Sequence, residues 1–252
     1  MKYTKTIGSA LALLMTFAVA LPAFALHSPE HYSLFGDATY VSPGNASTRA
    51  VQLVSDPDTG GFGGIDYPAE ASTTFATLTQ LMTDYRLPEG DTCIGGSPRF
   101  QINVETPTGE KNIFAYFGTD SAGAPCVPGV WSSTGDFLQT GRLLDTSQLP
   151  GGAFYDPYDT ALVKYGSYVV TGIQVVTDSE WATTDHRLVV DIDNTLINST
   201  LFTYEIPVAS SQNACKNGGW KTLADDKGNS FKNQGDCVSF VATKGKNSGN
   251  GR

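Results

Sequence analysis

Two carboxylates set two residues apart raise the first chemical question. In "RLVVDIDNTLINST" at 187–200 an apolar run leads into Asp191 and Asp193, with Asn194 and Thr195 directly after. Such a pair at a strand end could supply a nucleophile and a second acid for phosphoryl transfer. On a half-buried strand the same pair would be two acids facing water. A second set is aromatic. Trp131, Tyr155, Tyr158 and Trp181 accompany Asp156 and Asp159, and all but Trp181 lie in Gly- and Pro-rich stretches. Sugar rings offer CH-rich faces for stacking and hydroxyls for directed hydrogen bonds. Exposed rings interleaved with acids therefore make a glycan platform, with Asp156 and Asp159 as hydroxyl acceptors. For each ring the alternative is a place in the core. A third set, Asp56 and Asp58 in "SDPDTGG" at 55–61, puts hard oxygen ligands in a Gly-rich loop. That suits calcium in an exported protein, and it suits a solvated turn equally well.

The elements that must position these groups are strands. "RAVQLVSD" sets Ala50, Gln52 and Val54 against Val51 and Leu53, and "RFQINVET" places Phe100, Ile102 and Val104 on one face. "NIFAYFG" and "GSYVVTGIQVVTD" are aromatic and β-branched, with Gly, Pro, Asp and Ser clusters between runs. Leu188, Val190, Ile192 and Leu196 share one parity, and Asp191, Asp193 and Thr195 the other, so 187–200 reads as a half-buried strand. "NST" then turns into "LFTYEI", where Phe202, Tyr204 and Ile206 share a face. The one helix candidate is "YDTALVKYG", with Asp159 as its cap. The pattern predicts an all-β chain, an antiparallel jelly-roll or concanavalin-like sandwich over residues 26–207.

Residues 1–25 have the form of a secretory signal peptide. Lys2 and Lys5 precede an apolar run from Ile7 to Leu21, and Ala23, Phe24 and Ala25 give a small-x-small cleavage pattern. The run is short for a bilayer span of about 20 residues, so the chain is expected to be secreted, without a transmembrane segment. Beyond the leader the charge is uneven. Residues 26–206 hold 22 acids against 7 basic residues, a net of −15, and residues 207–252 hold 7 basic residues against 3 acids, a net of +4. A body so acidic lacks the basic footprint of a nucleic-acid binder.

Export makes disulfides the default for four cysteines, which allow three connectivities. Cys93 with Cys126 and Cys215 with Cys237 keeps each bridge within its own compositional zone. His27, His31 and His186 form no ligand cluster, and no cysteine pair has zinc spacing. The second bridge would define a C-terminal module at 208–243, followed by a Gly-rich tail at 244–252 expected to be disordered. Two packings of that module are open. It is either a cap stapled to the sandwich through Trp220, Phe231 and Val238, or a separate attachment unit.

Three likenesses bear on function. "DIDNT" resembles the nucleophile motif of haloacid-dehalogenase phosphatases, with Asp225 and Asp226 standing where that family has a later acidic pair. Only 52 residues follow Thr200, however, and each βαβ unit takes roughly 30, so the family's domain does not fit. "GDATYVSPGNASTRAVQLVSD" at 36–56 and "LVVDIDNTLIN" resemble the first and last strands of extracellular jelly-roll sandwiches, the class of many carbohydrate-binding modules and laminin-G-like domains. "CIGGSPRFQINV", "GGAFYDPYDTAL" and the tail "CKNGGWKTLADDKGNSFKNQGDCVSFV" resemble stretches of secreted bacterial proteins, among which such tails recur as a portable unit. The resemblance implies architecture and brings no activity with it. No GxSxG elbow, HExxH or Walker loop is present, and the third acidic ligand, Gly and Glu of an EF-hand are missing after Asp193. The expectation is a non-enzymatic secreted protein that binds a glycan or cell-surface component, with calcium as an open cofactor. The alternatives are a structural or adhesive envelope protein and, third, a hydrolase.

Overall fold

β13 (Leu188–Ile197) is the spine of one of the two larger sheets. In the computed structural model of the chain, the described residues are 25–26, 32–56, 58, 61–88, 93, 97–118, 126–178, 187–226 and 228–247. Residues 1–24 of the expected leader, Trp181, and residues 248–252 of the tail fall outside them.

On one side β13 pairs with β4 (Ala50–Ser55), which pairs with β3 (Ala38–Val41), and further along with β14 (Thr200–Phe202). On the other side it pairs with β6 (Leu81–Arg86), which carries the short β9 (Ser132–Ser133). β1 (Ala25–Leu26) lies parallel to β14, and every other pairing in this sheet is antiparallel. The second sheet runs β2–β5–β12–β7–β8, that is Ser33–Gly36, Gly63–Pro68, Val170–Thr177, Arg99–Thr106 and Gly109–Tyr116. The chain passes from the second sheet to the first between β2 and β3 at Asp37, after Gly36 with φ of 60°. β10 (Leu143–Leu144) and β11 (Asp156–Pro157) form a two-stranded ribbon, and Asp145 bridges Phe114 on β8.

One core joins the sheets. Val51, Leu53, Tyr85, Val190 and Ile192 from the first meet Ile65, Tyr67, Phe100, Ile102, Ile113 and Val175 from the second. The alternation of β4 and β7 therefore faces the core as expected, and the fold is the antiparallel β-sandwich expected. Cys93 is bonded to Cys126, and Cys215 to Cys237.

The 187–200 strand departs from expectation twice. Asn194 has φ of 48° and the register against β6 shifts between Asp193 and Leu196, a bulge that reverses the parity of the residues after it. Thr195 therefore turns inward, where its hydroxyl meets those of Thr83, Tyr67 and Tyr204, while Leu196 leaves the inner face. The two acids are also not on a wet face. Asp191 is 1% exposed, held between Arg86 and Gln52, and Asp193 is fully buried because the loop from Ser42 to Arg49 folds over it.

The predicted helix is α1 (Tyr158–Tyr165), but Pro157 occupies its N-cap position and Asp159 sits inside the first turn. A second helix, α2 (Gln234–Ala242), has no counterpart in the sequence pattern. Asn233 caps it by accepting from the Asp236 N–H at 3.0 Å. Trp220, Phe231 and Val238 join Cys215, Cys237 and Phe240 in a small core within the module. Residues 244–247, expected to be disordered, close α2 instead. Gly245 donates to the Phe240 carbonyl and Lys244 to that of Val241, with Lys244 left-handed.

Candidate functional site: the outer face of the five-stranded sheet

Since Phe100, Ile102 and Val104 point into the core, their neighbours Arg99, Gln101 and Asn103 must point out. On β8 the same logic turns Asn112, Phe114 and Tyr116 outward while Ile113 and Ala115 face in. Register brings these residues into rows. Gln101 stands opposite Phe114 on one side and Gln174 on the other, and Gln174 stands opposite Asp66.

A polar ladder crosses three strands along this row. Gln101 Nε2 donates to Asn103 Oδ1 at 3.1 Å and to Gln174 Oε1 at 2.9 Å, and Gln174 Nε2 donates to Asp66 Oδ1 at 3.0 Å. Among the described residues this leaves Gln101 Oε1, Asn103 Nδ2 and Asp66 Oδ2 without a protein partner, so acceptors and a donor are presented together. Aromatic rings flank the ladder. Phe114 and Tyr116 lie 6.2 Å apart and 15° from parallel, and the Arg99 guanidinium sits 5.0 Å from the Phe114 ring. Arg99 is held by a two-point ion pair with Asp178 at 2.6 Å. The Tyr116 hydroxyl donates to Asp145 and its pKa is raised, chiefly by burial and then by that carboxylate. At the far edge the Phe35 ring rests on Gly64, where a Cβ would come within 2.1 Å of it and have to displace the ring.

The predicted aromatic platform is only partly assembled. Tyr155, 55% exposed beside Phe154 at 65%, directly precedes Asp156, whose strand partner Leu144 adjoins the Asp145 that bonds Tyr116, so the ribbon carries it toward the β8 edge of this face. Asp156, expected as a hydroxyl acceptor, is turned inward instead. It is 3% exposed and holds Lys164 Nζ at 2.7 Å and the Thr146 hydroxyl at 2.8 Å, so it pins the loop and is closed to a ligand. Tyr158 is half-buried against Phe75, edge-on at 6.1 Å, and belongs with the core. Asp159 is exposed and accepts from the Thr140 hydroxyl at 3.1 Å. Trp131 lies beside β9 on the other sheet, its ring 5.0 Å from the Arg86 guanidinium, so it does not join Tyr155.

The acids of the two remaining sets are bonded by protein groups. Arg86 Nε and Nη2 clasp Asp191 Oδ2 at 3.1 and 2.6 Å, and Gln52 Nε2 reaches Oδ1 at 2.9 Å. Asp193 accepts from the Asn45 and Asn194 backbone N–H groups at 2.7 and 2.8 Å and from the Ser47 hydroxyl at 2.5 Å. Gly44 makes that clasp feasible, because a Cβ there would lie 2.5 Å from Asp193 Oδ2. Burial raises the Asp193 pKa to about 6 against the pull of those hydrogen bonds. Asp225 is buried in the C-terminal module, accepting from Asn229 N–H and Nδ2. Asp56 Oδ1 accepts from the Asp58 N–H at 3.0 Å, closing a turn. Among the described residues no group of three or more His, Cys, Asp or Glu could hold a metal ion.

No protein-family model and no curated protein matches the chain. Among solved structures it is similar to a family 11 carbohydrate-binding module of a cellulosomal cellulase of Clostridium thermocellum. That match has 10% identity and a TM-score of 0.39, over 69% of this chain and 88% of that one. A family 11 module from the same organism in complex with a β-1,3-1,4-mixed-linked tetrasaccharide gives 13% and 0.40, over 68% and 91%. An agarase gives 11% and 0.35, over 71% of this chain and 26% of that one.

Proposed function

We propose that the chain is a secreted, non-enzymatic binding protein that takes a glycan on the outer face of its five-stranded sheet. The observation that carries this reading is one juxtaposition: the Phe114–Tyr116 pair beside the Asp66–Gln174–Gln101–Asn103 ladder. Stacked rings accept the CH faces of pyranoses, and amides with a carboxylate exchange directed bonds with hydroxyls. The face sits on paired strands, so the groups are held in place before a ligand arrives. Tyr155 extends the aromatic edge.

The test is a glycan-array screen of the mature protein, in calcium and in chelator, beside Tyr155→Ala and Phe114→Ala variants of unchanged melting temperature. Binding to neutral glycans that weakens in both variants supports the reading. Binding that ignores both variants contradicts it, and loss in chelator alone would assign calcium to the site. The second reading, a structural or adhesive envelope protein, draws on the C-terminal module, whose own disulfide and core fit a portable attachment unit. A folded protein that binds no glycan under either condition favours it.

A further inference from the structure

A cleft of about 470 Å³ opens at one end of the sandwich, where the end of β5, the loop after it and the β13–β14 turn meet. Its volume falls in the range of roughly 300–1,000 Å³ usual for small-molecule sites. Core side chains that reach the sandwich end, Leu78, Ile173 and Phe202, make its floor. The rim is polar. Glu70 is exposed, and no described residue bonds or pairs with its carboxylate. Asn198 spends its Oδ1 on the Thr79 N–H and hydroxyl at 2.7 and 3.1 Å, which leaves its amide Nδ2 as a fixed donor. The hydroxyls of Thr73 and Ser199 complete the ring.

An apolar floor under a rim of one carboxylate, one amide donor and hydroxyls suits a flat molecule with a CH-rich side and a hydroxyl-rich edge. A purely apolar ligand would leave Glu70 and the Asn198 amide unpaired, and an anion would be repelled by Glu70. We infer that the cleft is a second saccharide site that holds a single neutral pyranose ring, with Glu70 accepting from its hydroxyls and Asn198 donating to one. It is distinct from the sheet face, since Ile173 points into the sandwich while Gln174 points out of it. The inference shares the glycan reading only in its class of ligand.

The test is an amide chemical-shift titration of the mature protein with glucose, galactose, mannose and xylose as probes. It is run on the parent chain, Ser199→Tyr, Glu70→Gln and Phe114→Ala. At least one sugar should move the amides of Glu70 and residues 198–200. That movement should vanish in Ser199→Tyr, which obstructs the mouth from an exposed turn, weaken about tenfold in Glu70→Gln, and persist in Phe114→Ala. Shifts confined to the sheet face, or none with any sugar, overturn the cleft. Polysaccharide binding abolished by Phe114→Ala would then leave the face reading standing, and cleft shifts without any polysaccharide binding would overturn the face reading alone.

Discussion

Asp191 and Asp193 share a strand and a charge, yet different surroundings hold them. Asp191 is neutralised by Arg86 across the ladder. Removing one partner of such a pair strands the other charge, at a typical cost of about 3–5 kcal/mol when both are buried. Arg86 is 25% exposed, so Arg86→Ala should cost about 3 kcal/mol in urea denaturation. Any hydrolytic activity of the parent chain should be unchanged in Asp191→Asn in a phosphatase and glycosidase assay, because the carboxylate faces a guanidinium and an amide. Among the described residues no cation pairs with Asp193, which is near Glu205, and its pKa is raised from 3.8 to about 6. A raised carboxyl favours the folded state in its protonated form. Its contribution is complete below about pH 4 and lost as pH rises through 6. The melting temperature should therefore rise between pH 7.5 and pH 5, and Asp193→Asn should flatten that slope; an unchanged slope in the variant would assign it to other groups.

At the scale of elements, the inward alternation of β4 and β7 was legible because their apolar residues sit strictly at every second position. The same pattern already held the candidate face: reading Phe100, Ile102 and Val104 as inward fixes Arg99, Gln101 and Asn103 as outward. What no single strand showed was register, which sets Gln101 beside Gln174 and Gln174 beside Asp66 from segments 73 and 108 residues apart. The burial of Asp156 was hidden for a related reason. Its partner Lys164, eight residues on, becomes a neighbour only once α1 winds the chain. The parity of Thr195 and Leu196 failed on a local cue, an asparagine that tolerates left-handed backbone and admits a bulge. In the C-terminal module the small core depends on the bridge between Cys215 and Cys237, 22 residues apart. Replacing both by serine should cost the module about 3 kcal/mol. Hydrogen exchange should then speed throughout α2 while β7 and β12 keep their protection; unchanged α2 exchange would show that the module folds without its staple.

For the whole molecule, one sandwich presents two unlike surfaces. The first sheet spends its outer charges internally, with Asp191 on Arg86 and Gln52, and Asp193 under the 42–49 loop, which Glu205 ties down through Thr48 and Arg49. The second sheet leaves Gln101 Oε1, Asn103 Nδ2 and Asp66 Oδ2 of its outer row without a partner among the described residues. The acidic body suits neutral ligands and opposes polyanions, so the affinity for a neutral polysaccharide should change little between low and moderate salt. The most direct measurement is titration calorimetry with the strongest polysaccharide from the array, on the parent chain and on a Gln101→Ala, Phe114→Ala double variant of equal thermal stability. Glycan binding on this face predicts that the variant loses at least about tenfold in affinity. Equal affinity in the two proteins would contradict it.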